Sequence, residues 1–250
     1  MTDREFWWAH LRTPLIAFII LAVLCEFTSL DVLIAHKFFY DESHNAWLGA
    51  NSWWINQFLH TGGRWTMRFV MVLSLLAWIT TFMDAGLRPL RRASGYLCLG
   101  MIASVTVVGL LKMLTNVDCP WDLTQFGGNY PWVGLFADRA DDLRHGRCFP
   151  SAHASSGYAL MALYFALRGY HRRLARWGLA LGLATGVIFG IAQQARGAHF
   201  LSHDVWSAFL VWLILLSLYV FGFKRRLYAR RSRDTGDVVM NFRLSLGDRS

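Results

Sequence analysis

The chain has 250 residues, 55% of them apolar and only 16% charged. Soluble domains carry roughly 25% charged residues, and here the apolar residues fall in long blocks, so a soluble domain is excluded in favour of a membrane protein with several spans. The net charge of +9 does not indicate nucleic acid, because the basic residues sit in short segments between apolar blocks and carry no reading motif.

The first apolar block runs from about Leu15 to Ile34. It exceeds a signal-peptide core and lacks a small-residue cleavage site, so it reads as a retained span. In chain order the expected spans lie near residues 14–34, 66–84, 95–114, 153–169, 175–195 and 204–223. The aromatic segment from Trp53 to Leu59 is too short to cross and reads as interfacial. Residues 1–233 then form one six-span domain, and 234–250 a polar cytoplasmic tail. The expected fold class is an all-α integral membrane protein, a six-transmembrane-helix bundle with an exterior active-site loop.

Charge sets the orientation. Arg88, Arg91 and Arg92 fall between spans two and three, and Arg168, Arg172, Arg173 and Arg176 between spans four and five. A third basic run begins at Lys224. All three fall on one face, which the positive-inside rule makes cytoplasmic, together with both termini. The opposite face, periplasmic if this is the inner membrane of a Gram-negative cell, then carries three polar clusters. Lys112 closes span three, with Cys119 and Pro120 just beyond it. Pro150-Ser151-Ala152-His153 opens span four. Arg196, His199, His203 and Asp204 join spans five and six.

Each cluster suits phosphate chemistry, and each has a plainer account. Ser151 marks a helix start, where free backbone N–H groups attract anions. His153 titrates near neutrality and suits proton transfer, but simple capping beside an incidental histidine explains the pair equally well. His199 can attack phosphorus if a carboxylate holds its other nitrogen, and Asp204 is the candidate holder; the alternative is a histidine facing interfacial water. Arg196 offers a planar fork for two phosphate oxygens. Lys112 is costly in an apolar span unless it snorkels or meets an anion.

Together these residues resemble the type 2 phosphatidic acid phosphatase family of membrane lipid phosphatases. That family carries Lys-x6-Arg-Pro, Pro-Ser-Gly-His and Ser-Arg-x5-His-x3-Asp. Here the first motif reads Lys112-x6-Cys119-Pro120, the second Pro150-Ser151-Ala152-His153, and the third contains His199. The resemblance covers about residues 95–222. Cys119 and Gln193 stand where the family has arginines, so Arg196 is the expected substitute in the third motif and Arg147 in the first. The fourth residue after His199 is His203 and the carboxylate comes one later, at Asp204, which leaves His203 as an alternative nucleophile.

The resemblance implies a metal-independent enzyme without a cofactor. Its phosphate lies on Lys112, Ser151, Arg196 and Arg147, His199 attacks, His153 protonates the leaving oxygen, and Asp204 orients His199. The expected substrate is a phosphorylated lipid: an isoprenyl diphosphate such as undecaprenyl diphosphate, phosphatidic acid, phosphatidylglycerol phosphate or lipid A. Transfer of the phosphate to a second lipid, or a non-catalytic lipid-phosphate binder or transporter, are the alternatives. Cys119 and Cys148 flank the exterior loop, where a disulfide is permitted, and either bridge it or remain free thiols. Cys25 and Cys98 lie inside spans as buried apolar residues.

Overall fold

The computed structural model describes residues 2–135, 137, 139–140 and 143–224. The expected tail at 234–250 and the basic run from Arg225 lie outside the described residues.

Helix α1 runs from Asp3 to Phe27. Its start is a reciprocal cap: the Glu5 N–H donates to the Thr2 hydroxyl at 3.3 Å, and the Thr2 N–H donates to the Glu5 carboxylate at 2.9 Å. Pro14 lacks the N–H that His10 would accept from one turn on, and the helix widens into a π-turn over Trp8–Arg12 just before it. The freed His10 carbonyl accepts from the Trp212 indole at 2.6 Å. A proline that would break an isolated helix thus becomes a tertiary contact.

A short helix α2, Leu30–Phe38, leads into a two-stranded hairpin, β1 Tyr40–Asp41 and β2 Ala46–Trp47, with Tyr40 opposite Trp47. These pack with Leu123, Phe126 and Phe200 into a small second core on the side that carries the polar clusters. Helix α3 spans Trp54–Met83, and α4 spans Ala85–Leu114. Asp84 divides them and accepts from the Gly86 N–H at 2.7 Å. Helix α5 covers 152–167 with a 3₁₀ turn at Ala159–Met161. Helix α6 is Arg172–Ala195 and α7 is Leu201–Gly222.

Among the described residues the protein is helical apart from the hairpin and its loops, and five helices (α1, α3, α4, α6 and α7) are long and apolar enough to cross a membrane. Two expectations need correction. The segment from Trp53 to Leu59 is not separate, since α3 begins at Trp54 and continues to Met83. The expected span at 153–169 is a shorter, interrupted helix. Its 16 residues reach about 24 Å, below the ~30 Å hydrocarbon thickness. Its position explains the shortfall. Ala154, Tyr158, Ala159, Met161, Ala162 and Phe165 are all buried, so α5 is the centre of the bundle and is wrapped by the longer helices.

Small residues allow that packing. Gly178, Gly182, Gly186 and Gly190 recur every fourth residue along α6. A Cβ at Gly186 would overlap the Tyr158 ring, and one at Gly182 would lie 2.4 Å from the Met161 nitrogen. The stripe lets α5 approach α6 backbone to backbone.

At one end of the bundle, the Arg168 guanidinium donates to His10 Nε2 at 2.8 Å, and the Tyr170 hydroxyl donates to the Pro89 carbonyl at 2.9 Å. The three polar clusters lie at the other end.

Candidate active site

Lys112 sits in the last turn of α4. Beyond it a disulfide joins Cys119 to Cys148, with Cα atoms 5.1 Å apart. Backbone bonds seat both cysteines. The Cys148 N–H donates to the Val117 carbonyl at 2.9 Å, the Cys119 carbonyl accepts from the Asp122 N–H at 2.9 Å, and next to it the Trp121 N–H donates to the Gly197 carbonyl at 2.9 Å. The Thr115 hydroxyl donates to the Phe149 carbonyl. The end of α4, the start of α5 and the α6–α7 connection are thereby held as one unit.

Ser151 occupies the N-cap position of α5, with extended backbone and no side-chain capping bond. Its carbonyl accepts from the Ser207 hydroxyl at 3.1 Å, which ties the start of α5 to α7. His153 donates from Nε2 to the Leu59 carbonyl at 3.2 Å, stacks on Phe189 at 4.4 Å and meets His60 edge-on at 5.0 Å. In the neutral ring this leaves Nδ1 as the acceptor.

His199 and His203 are both 4% exposed, and their Nδ1 atoms are 3.2 Å apart. One nitrogen must donate and the other accept, so the two rings hold complementary tautomers. The Cys148 carbonyl faces both rings. Burial first, then the nearby Lys112 charge, lowers the His199 pKa well below the ordinary 6.5.

Asp204 does not hold His199, which corrects the expectation. Its Oδ2 accepts from the Gln194 side chain at 2.6 Å and faces Gly190. Its Oδ1 and the neighbouring Ser151 hydroxyl are both buried without a well-formed partner. The contact expected of Asp204 is made by His203. Consecutive residues on a helix differ by about 100° in direction, so a one-residue offset decides which side chain faces His199.

A cavity of about 420 Å³ opens beside His199. Lys112, His153, Gln193 and His199 line it, joined by His60 and Arg64 at the start of α3 and by Arg68 one turn further along. Met67, Met71, Met101 and Val105 line the rest. Arg196 is half-buried and donates to Gln193 Oε1 at 3.0 Å, within electrostatic reach of Arg64, His60 and His153. Arg147 is exposed and does not line the cavity. Sequence reasoning missed His60, Arg64 and Arg68. Their spacing of four places them on one helix face at the outer end of an apolar segment, and that is a readable signal.

On the far side of His203 lies a second cavity of about 490 Å³, bordered by Asp31, Asp118, Arg139 and Ser202. Asp118 and Arg139 form a buried ion pair at 2.7 Å. Asp31 accepts from the Ser202 N–H at 2.9 Å, and so caps α7 from a distance. Carboxylates border this cavity and none lines the first, so the two differ in sign. Among the described residues, no three His, Cys, Asp or Glu side chains are grouped to hold a metal.

A family model described as PAP2 superfamily matches residues 93–227, more than half of the chain. The chain belongs to the PAP2 superfamily. PAP2 proteins are typically metal-independent phosphatases, many of them acting on lipid phosphates. The matched region contains Lys112, Ser151, His153, Arg196, His199, His203 and Asp204, and excludes His60, Arg64 and Arg68. No curated protein and no solved structure matches this PAP2 chain.

Proposed function

We propose that this protein is a lipid phosphatase that works through a phosphohistidine at His199. The observation that supports it best is the two-ended cavity. Its cationic end holds the two histidines suited to attack and proton transfer. Its methionine-lined end continues toward the bundle interior. Met101 and Val105 lie eleven and seven residues before Lys112 on α4, about 16 and 10 Å along the helix. A phosphate at one end and an apolar chain along the other describe a phosphorylated lipid.

In this reading, Lys112, Arg196, Ser151 and the α5 N–H groups hold the phosphate oxygens and stabilise charge in the transition state. His203 Nδ1 accepts a hydrogen bond from the His199 Nδ1–H, which keeps its proton, so the His199 Nε2 lone pair is free to attack phosphorus. As the phosphorus–oxygen bond to the lipid breaks, protonated His153 gives its Nδ1 proton to the leaving oxygen. His153 then takes a proton from water, which displaces His199 and releases inorganic phosphate. Asp204 acts as a positioning group that couples the Ser151 turn to Gln194 on α6.

The architecture is a six-helix membrane bundle with α5 at its centre. In this reading the site, at the end opposite Arg88, Arg168 and Arg172, faces the periplasm of a Gram-negative cell and the described N-terminus faces the cytoplasm; the basic residues at the opposite end support that orientation through the positive-inside rule.

The test is phosphate release by the purified protein in detergent from a panel of lipid phosphates. A membrane-impermeant short-chain lipid phosphate added to sealed cells should also be hydrolysed. His199→Ala should abolish release, whereas His203→Ala should lower kcat roughly tenfold or more and leave a phosphoenzyme trappable by alkaline quench. A phosphoenzyme formed by His199→Ala would sink the assignment. Hydrolysis only after the cells are lysed would reverse the orientation.

A further inference from the structure

We infer that Arg64 binds the substrate phosphate in this site and that His60 positions it. Both residues lie on α3, outside the family-matched segment. The inference rests on the phosphatase reading for its substrate, but it stands on four separate observations.

The first is convergence of like charge. Arg64 and Lys112 line one cavity, and Arg196 stands behind its wall on Gln193, close enough to Arg64 for the two charges to repel. Among the described residues none of the three has a carboxylate within ion-pair distance. Gathering three cations at the end of apolar helices is unfavourable unless an anion joins them.

The second is an orphaned donor. Gln193 is 3% exposed, and its Oε1 is occupied by Arg196 at 3.0 Å. That bond fixes the amide with Nε2 as the remaining group, and Nε2 is buried without a partner beside the same cavity. A buried N–H left over next to converging cations calls for an acceptor-rich ligand.

The third is preorganisation. Arg64 Nη2 donates to His60 Nε2 at 2.8 Å, and the His60 ring meets His153 edge-on at 5.0 Å. Gly63 sets the approach. A Cβ there would lie 2.8 Å from the Phe189 ring on which His153 stacks. The backbone next to Arg64 is therefore pressed against the site.

The fourth is vacancy in the motifs. Cys119 and Gln193 stand where arginines are expected, and Arg147 is exposed outside the cavity. Two guanidinium positions are missing, Arg196 fills one, and Arg64 is placed to fill the other.

An arginine at the outer end of a span can instead snorkel to lipid headgroups. The two roles separate by experiment on the full chain in detergent. The probes are inorganic phosphate, as inhibitor and as thermal stabiliser, and dioctanoyl phosphatidic acid as substrate. Arg64→Met should raise the phosphate Ki and the substrate KM on the order of 10- to 100-fold. Its melting temperature without phosphate should stay near wild type, and the stabilisation by phosphate should disappear. Arg64→Lys should recover part of the affinity. His60→Ala should raise KM several-fold, and His60→Gln, which keeps an acceptor for the guanidinium, should restore it.

Unchanged phosphate Ki in an active Arg64→Met enzyme would overturn the inference and leave the phosphatase reading intact. Should Arg64→Met not fold, unchanged Ki in Arg64→Gln has the same meaning. If the wild-type protein releases no phosphate but is stabilised by phosphate only when Arg64 is present, the anion site stands and the phosphatase reading falls. If phosphate stabilises neither protein, the inference is overturned.

Discussion

Gly190→Ala tests whether the buried carboxylate of Asp204 is fixed in place. A Cβ at position 190 would lie 2.5 Å from Asp204 Oδ2, 2.7 Å from Cγ and 3.2 Å from Oδ1. Ordinary contact distance is about 3.5–4.0 Å, so one group must retreat by about 1 Å. The carboxylate cannot do so freely, because Gln194 grips Oδ2 at 2.6 Å from the same helix as Gly190. Overpacking costs about 1–3 kcal/mol, and breaking the Gln194 bond adds about 1–2. Alanine returns at most about 1 kcal/mol in helix propensity. The net destabilisation is then on the order of 1–4 kcal/mol, or about 2–4 °C of melting temperature per kcal/mol in a chain of this size. Gly109→Ala is the matched control. It lies on α4, and its Cβ would meet nothing within 4 Å. It should be neutral or stabilising by up to about 1 kcal/mol. Thermal unfolding of the two variants in one detergent makes the comparison. If Gly190→Ala melts at or above wild type, the carboxylate is free to move, and its role in positioning the Ser151 turn is wrong.

Cys119→Ser and Cys148→Ser should lose activity and stability to the same extent, and the double variant should be no worse. The closed loop separates its cysteines by 29 residues, so about 3–4 kcal/mol is at stake, to be read from unfolding under reducing and non-reducing conditions. The acid limb of kcat/KM should fall below pH 6.5, because burial and Lys112 keep His199 neutral there. In the same window the unfolded chain binds a proton that native His199 refuses, so stability should decline as pH drops below about 6.5. An acid midpoint at or above 6.5 in the pH–rate profile would contradict a buried, neutral nucleophile.

Long apolar helices were legible because hydropathy reports what faces lipid. Their ends were not. Helix α1 begins eleven residues before the expected span at 14, since a cap at Thr2 and a π-turn before Pro14 carry the helix through polar sequence. Helix α5 was expected to be a full-length span because a buried central helix has the same apolar composition as a lipid-facing one. Ser151, His153 and His199 were legible as candidates because neighbours in sequence reproduce a motif, and the structure brings His153 and His199 to one cavity. Asp204 was expected to hold His199, but one helical step turns its carboxylate to Gln194. Arg64 and His60 escaped because their spacing of four marks a common helix face but not what that face meets, and α3 reaches the site through tertiary packing at Gly63.

The departures from the family motifs compensate one another. In the proposed mechanism His203 stands where a carboxylate would hold His199, and a neutral imidazole there stabilises a charged His199 less than a carboxylate does. The same exchange removes a negative charge from beside the bound phosphate. At an effective dielectric constant of about 20, two unit charges about 6 Å apart repel by about 3 kcal/mol. In the proposed site that relief adds to the hold of Lys112, Arg196 and Arg64 on the anion. The cysteine gained at 119 has its own use. Its bridge to Cys148 seats the carbonyl that faces both His199 and His203. A ring pair without a carboxylate depends on such an acceptor to fix its tautomers. The disulfide thus supplies by covalent geometry part of the orientation that an ion pair would otherwise provide.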